Sequence, residues 1–122
     1  MAMAFSIEDR VVDDETHVVA VTGEIDLFTA PEFKQRVSAP IDDGRTRVVV
    51  DLTETTFIDS AVLSVLIAEH DRAAAAGTAV GFAVGEGAGH AVRRIVDLTG
   101  LSSVLPIADS RAAAMQAIRG SG

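Results

Sequence analysis

The spacing of apolar positions changes period several times along the chain. Phe5, Ile7 and Val11 stand among polar residues as on a half-buried strand, and residues 13–16 (DDET) read as a turn. Residues 17–22 (HVVAVT) form a β-branched second strand, and so short a connection predicts an antiparallel pair. Pro31 then opens a helical segment, with Thr29 or Ala30 at the cap position, and Asp42-Asp43-Gly44 supplies loop chemistry. Residues 47–52 (RVVVDL) are nearly all apolar, as in a strand buried on both faces. A helix is predicted over residues 61–76, with Leu63, Leu66, Ile67, His70 and Ala74 at helical spacing and Gly77 as its stop.

Residues 79–84 (AVGFAV) repeat the interior-strand pattern, and residues 85–89 (GEGAG) form a loop. A helix over about residues 90–98 closes at Gly100. The strand at residues 104–107 contains Pro106, which predicts an edge position. Asp109-Ser110 can cap a last helix to about residue 118, leaving residues 119–122 as a tail. The resulting order, β-β-α-β-α-β-α-β-α, predicts one α/β domain over residues 1–122, with an ordered core at about 4–118. Its sheet is mixed and mostly parallel, with helices packed against it. In such sheets functional loops gather beyond the carboxyl ends of the strands. Three loops qualify, at residues 23–29, 53–60 and 85–89. If their strands are neighbours, Asp26, Asp59 and Ser60 share one rim.

Composition narrows the function. The chain has 122 residues, 48% of them hydrophobic but only 4% aromatic, so one core of Val, Leu, Ile and Ala is expected. There is no cysteine, which excludes disulfides, thiolate metal sites and cysteine nucleophiles. The formal net charge of −8 opposes binding to phosphate backbones, so no direct nucleic-acid partner is expected. The first residues carry no basic, apolar leader pattern, and the apolar run at 61–68 is too short for a membrane span. A cytoplasmic protein without a membrane partner is expected.

Few residues suggest catalysis. His17, His70 and His90 are dispersed and lack ligand spacing, so no metal is expected. Ser60 lacks the flanking glycines of a nucleophile elbow. The glycine run at 85–89 lacks the Lys of a phosphate-binding loop and does not complete G-x-G-x-x-G, so no cofactor is expected. Arg93-Arg94 reads as a solvated helix face. The most informative stretch is DLTETTFIDSAVL, residues 51–63. It runs from a buried strand through a polar turn, pinned by Phe57 and Ile58, into a helix whose start Asp59 or Ser60 can cap.

The segments GEIDLFTAPEF (23–33), VVVDLTETTFIDSAVLSVL (48–66) and LTGLSSVLPI (98–107) resemble, in order, the signature blocks of the STAS family, in its branch of bacterial anti-sigma factor antagonists. The resemblance implies a non-enzymatic module. Unphosphorylated, it sequesters an anti-sigma factor that is also an ATPase-fold serine kinase, and so frees a sigma factor. The kinase phosphorylates a serine that maps onto Ser60, and a serine/threonine phosphatase reverses this. Asp26 matches the family's acidic residue near that serine, while Thr53 and Asp59 occupy neighbouring motif positions. Two residues depart from the pattern: Ala61 removes a second acceptor, and Val62 stands where a glycine would let a partner backbone approach. The expected partner-binding set is therefore Asp26, Thr53, Asp59, Ser60, Ala61 and Val62. The alternative is a subunit of a stressosome-like or lipid-transport ATPase complex with a constitutive interface; oligomeric state, monomer or weak dimer, stays open.

Overall fold

A computed structural model describes residues 5–86 and 90–119. The expected order of elements is present: β1 (Ser6–Val11), β2 (Thr16–Ile25), α1 (Ala30–Asp42), β3 (Arg47–Ile58), α2 (Ser60–Ala76), β4 (Ala79–Ala83), α3 (Ala91–Thr99), β5 (Ile107–Ala108) and α4 (Arg111–Arg119), with a 3₁₀ turn at Leu101–Ser103. The strands lie side by side in chain order, β1 antiparallel to β2 and every later pair parallel. The short first connection is a turn in which Asp13 Oδ1 accepts from the N–H groups of Glu15 (2.9 Å) and Thr16 (2.8 Å). The predicted edge strand shrinks to two residues after Pro106, whose carbonyl accepts from Phe82 N–H (3.1 Å).

Alternate residues of β2, β3 and β4 feed two cores. Val19, Val21, Val48, Val50, Leu52, Val80 and Phe82 face α1, α2 and α3, where Phe33, Val37, Val62, Leu66, Val92 and Val96 meet them. Val18, Val49 and Ala83 point the other way, against Ala114 and Ile118 of α4. This two-sided cover explains why 47–52 reads as a continuous apolar run.

Two readings of the chain change. Residues 53–58 are not a turn: β3 continues to Ile58, and β2 likewise reaches Ile25. The polar run TETT is strand because the β2–β3 pairing slips twice, between Ala20 and Thr22 and between Gly23 and Glu24, with an extra β3 residue opposite each step. Such bulges break the alternation that marks a strand in sequence and add twist. Gly23, at φ 96°, takes at the second slip a backbone that only glycine adopts without strain. The buried stripe of α2 is also rotated by one residue from the expected one, running Val62, Leu66, Glu69 and Ala73, with Ile67 and Ala74 exposed. Glu69 is buried because the Ser38 hydroxyl donates to its Oε1 and the Arg72 guanidinium pairs with it.

Asp51 is the buried acid of β3. Its Oδ1 accepts from Thr53 N–H (2.9 Å) and Thr53 Oγ1 (2.7 Å), and its Oδ2 accepts from Arg111 Nε (2.7 Å), which ties α4 to the sheet. Burial alone would raise its pKa, but the Thr53 hydrogen bonds and the Arg111 ion pair together hold the carboxyl below its ordinary range. A folded pKa below the unfolded one stabilises the protein above about pH 4, and that contribution is lost as pH falls through the folded value. Asp51→Asn is expected to cost about 1–2 kcal/mol at pH 7. In urea unfolding, the gap between variant and wild type is expected to narrow below about pH 4. Among the described residues no helix is long and apolar enough to cross a membrane.

Candidate functional site

The last pair of the β2–β3 ladder is Ile25 with Ile58, both buried. The residue after each is an aspartate, so Asp26 and Asp59 leave the sheet at the same level, Asp59 at the cap of α2 and Asp26 in the turn that precedes α1. Asp26 Oδ1 accepts from the N–H groups of Phe28 (2.9 Å) and Thr29 (3.0 Å), while Thr29 Oγ1 accepts from Asp26 N–H (2.9 Å). This reciprocal turn delivers the chain into α1. Thr29 occupies the cap position, yet its hydroxyl makes no bond to the helix itself.

Of the two cap candidates for α2, Asp59 takes the role. Its backbone is extended (φ −106°, ψ −179°), and Oδ1 accepts from Val62 N–H at 3.2 Å. Ser60 is thereby left as the first helical residue. It is exposed, and its hydroxyl has no hydrogen-bond partner among the described residues.

The other members of the expected set are positioned differently. Ala61 is half-buried beside Ser60. Val62 is fully buried in the main core with Leu66, so its side chain fills the interior and meets no partner. Thr53 lies five residues before Ile58, about 16 Å back along the strand. Its hydroxyl is committed to Asp51. The rim thus gathers Asp26, Asp59, Ser60 and Ala61, without Thr53 and Val62.

Thr53 belongs instead to a second constellation. β3 overhangs β4, whose last pair is Asp51 with Ala83. His90, at the cap of α3, covers this overhang by donating from Nε2 to the Thr53 carbonyl (2.6 Å). Nε2 is thereby fixed as the donor nitrogen, and Nδ1 is buried with no partner among the described residues. Gly85 makes room for the ring, since a Cβ there would stand 2.4 Å from His90 Cδ2. Arg93 Nε donates to the Gly85 carbonyl (3.1 Å), and its guanidinium also pairs with Asp109. His90 and Arg93 are therefore structural clasps, and Arg93 is not the solvated residue its sequence context predicts. Most of the glycine run, residues 87–89, lies outside the described residues. Among the described residues no cluster of His, Asp and Glu could hold a metal. His17 bonds Asp9 (2.8 Å), and His70 stacks obliquely near Phe82.

Charge and apolar exposure complete the rim. No Lys or Arg lies between Arg10 and Lys34 or between Arg47 and Arg72, so both rim segments carry acids alone. Asp51 and Glu69 are paired internally, whereas Glu24 has no cationic partner among the described residues, and Lys34 and Arg36 of α1 line the groove beside Phe28. Between the two helix starts, Leu27 and Phe28 are 64% and 89% exposed. Phe57 is also partly exposed, at 42%, and does not pin a turn. The exposure of Phe28 was not readable from sequence, because an aromatic before an amphipathic helix ordinarily reads as core.

A family profile described as STAS domain matches residues 8–114. The anti-sigma-F factor antagonist RsfB of Mycobacterium tuberculosis is 30% identical over 103 residues, spanning 84% of this chain and 81% of that protein. The crystal structure of an anti-sigma factor antagonist from Mycobacterium paratuberculosis superposes with a TM-score of 0.79 at 31% identity, covering 97% of this chain and 95% of that one. The anti-sigma factor antagonist SpoIIAA, in its unphosphorylated form, shares the fold with a TM-score of 0.68 at 19% identity, covering 96% and 99% of the two chains.

The division of labour at the helix start has a measurable consequence. Asp59→Ala is expected to lose about 1 kcal/mol of stability, the usual value of an N-cap. Ser60→Ala removes no bond and is expected to leave the urea midpoint unchanged. Equal losses at the two positions would contradict the assignment of the cap to Asp59.

Proposed function

The chain belongs to the STAS domain family, and we propose that it is an anti-sigma factor antagonist: a non-catalytic module that binds an anti-sigma factor kinase while Ser60 is unmodified and releases it once Ser60 is phosphorylated. The observation that carries this reading is the exposed Ser60 hydroxyl at the start of α2, spared from capping by Asp59. An ATPase-fold serine kinase can reach such a group without unfolding the domain. A serine/threonine phosphatase can reach its phosphate ester for the same reason.

The physics of the switch follows from the site. A phosphate on Ser60 adds about −1.5 to −2 charges and three acceptor oxygens. The helix N-terminus tolerates it, since free N–H groups and the helix dipole favour an anion there. The same phosphate joins Asp26 and Asp59 in a rim with no cation in its own segments. Any interface fitted to the bare hydroxyl beside acids is penalised. One like-charge pair about 4 Å apart costs about 4 kcal/mol at an effective dielectric of 20, and about 1.4 kcal/mol already weakens binding tenfold. No rearrangement of the fold is required.

Ala61 leaves Ser60 as the acceptor at this turn, and Val62, being interior, poses no obstacle to a docking kinase. Paired-bait capture from the native host with Ser60→Ala and Ser60→Asp is expected to retain an ATPase-fold anti-sigma factor on the first bait only. In titration with that factor, wild type and Ser60→Ala are expected to bind equally in ADP, and Ser60→Asp at least tenfold more weakly. Equal affinity of all three proteins would overturn the reading.

A further inference from the structure

We propose that β1 is the contact edge of a two-fold dimer, pairing antiparallel with β1 of a second copy of this chain about an axis at Asp9. The inference does not depend on the antagonist reading.

The backbone decides which groups an incoming strand would meet. β1 lies at one end of the sheet, with β2 on one side of it. Val12 N–H donates to the Thr16 carbonyl (3.0 Å), in the same register that sets Arg10 against Val18 and Glu8 against Ala20. Hydrogen-bonded and non-hydrogen-bonded pairs alternate along an antiparallel ladder. Glu8 and Arg10 therefore bond to β2, and the N–H and C=O groups of Ile7, Asp9 and Val11 point away from it. Arg36 reaches this edge from α1, and its guanidinium donates to the Ile7 carbonyl at 3.3 Å. That carbonyl keeps a second lone pair for an incoming N–H.

Self-pairing has to set outward residues against outward residues, which leaves few registers. With the axis at Asp9, Ile7 of each copy faces Val11 of the other, and the contact covers a Val11 side chain that is 61% exposed in the single chain. Glu8 of each copy then faces Arg10 of the other. These are non-hydrogen-bonded positions, where Cα atoms stand about 4.5 Å apart and side chains come closest. Glu8 and Arg10 are 67% and 61% exposed, and within one chain they already attract each other at 3.1 Å. Moving the partner by two residues either way sets Glu8 against Glu8 or Arg10 against Arg10. Charge thus selects a single register.

The axis itself brings two Asp9 side chains together. Each is already bound within its own copy, by Arg36 Nε at 2.9 Å and by His17 at 2.8 Å, which offsets the repulsion. The two five-stranded sheets become one continuous sheet. Ser60 stays clear of the contact, because it lies beyond the Ile25–Ile58 pair and not along β1.

The test is sedimentation velocity and amide exchange on the full chain over about 10 µM to 1 mM. Wild type is expected to pass from monomer to dimer, with the amides of Ile7, Asp9 and Val11 gaining protection as the dimer forms. Glu8→Arg and Arg10→Glu, each alone, are expected to weaken the dimer about tenfold by setting like charges opposite each other twice. The double variant, Glu8→Arg with Arg10→Glu, is expected to restore wild-type dimerisation. All three variants are expected to keep the thermal midpoint of the dilute protein, because both side chains are exposed. A wild type that stays monomeric throughout would overturn the proposal. So would single variants that dimerise as wild type does, or a double variant that does not recover.

Discussion

The pairing of Ile25 with Ile58 is the constraint on which the rim depends. Both side chains are buried, so neither strand can slide by one residue without turning its last apolar side chain to solvent. The two slips in the ladder bring them opposite one another: β3 carries two more residues than β2 over the shared stretch, and the bulges absorb the difference. The twin aspartates follow from this register. Each meets a chain that must leave the sheet and enter a helix: Asp59 accepts from an N–H of the first turn of α2, and Asp26 accepts from the two N–H groups of the turn that leads into α1.

That register also separates stability from recognition. Val62, one turn into α2, is sealed in the core, while Ser60, two residues earlier, is open to solvent. The helix presents its first residue outward and anchors by its third. Ser60 therefore lies outside the packing that holds α2 to the sheet. The acids with structural duties, Asp51 and Glu69, lie away from the rim and have their own arginines, Arg111 and Arg72. Among the described residues Asp26 and Asp59 form no ion pair, and their carboxylates serve the backbone N–H groups beside them.

The apolar runs at 47–52 and 79–84, Pro31, Gly77, Gly100 and Pro106 made the order of elements legible, because each obeys a local rule that tertiary structure did not override. The rim itself was half legible. Asp26, Asp59 and Ser60 could be placed together once β2 and β3 were taken as neighbours. The strand character of TETTFI could not be read, since bulges erase the two-residue period that reveals a strand. The buried stripe of α2 was displaced for a related reason: Glu69 looks like a solvent residue until Ser38 and Arg72, distant and near in sequence, supply its partners. His90 gave no sign in sequence of its structural duty. Its bond to Thr53 depends on β3 outrunning β4, a fact of sheet geometry and not of sequence spacing.

An exposed phenylalanine on a rigid turn has a cost, since a ring left in water gains nothing from folding and invites non-specific association. Its persistence in a domain with only five phenylalanines calls for a function that the fold does not supply. The turn that carries the ring is fixed by Asp26 and Thr29, so its exposure is built into the path from β2 to α1 and is not slack in the chain. The groove beside it is lined by Glu32, Lys34 and Arg36 of α1, so the surface around the ring carries both signs of charge.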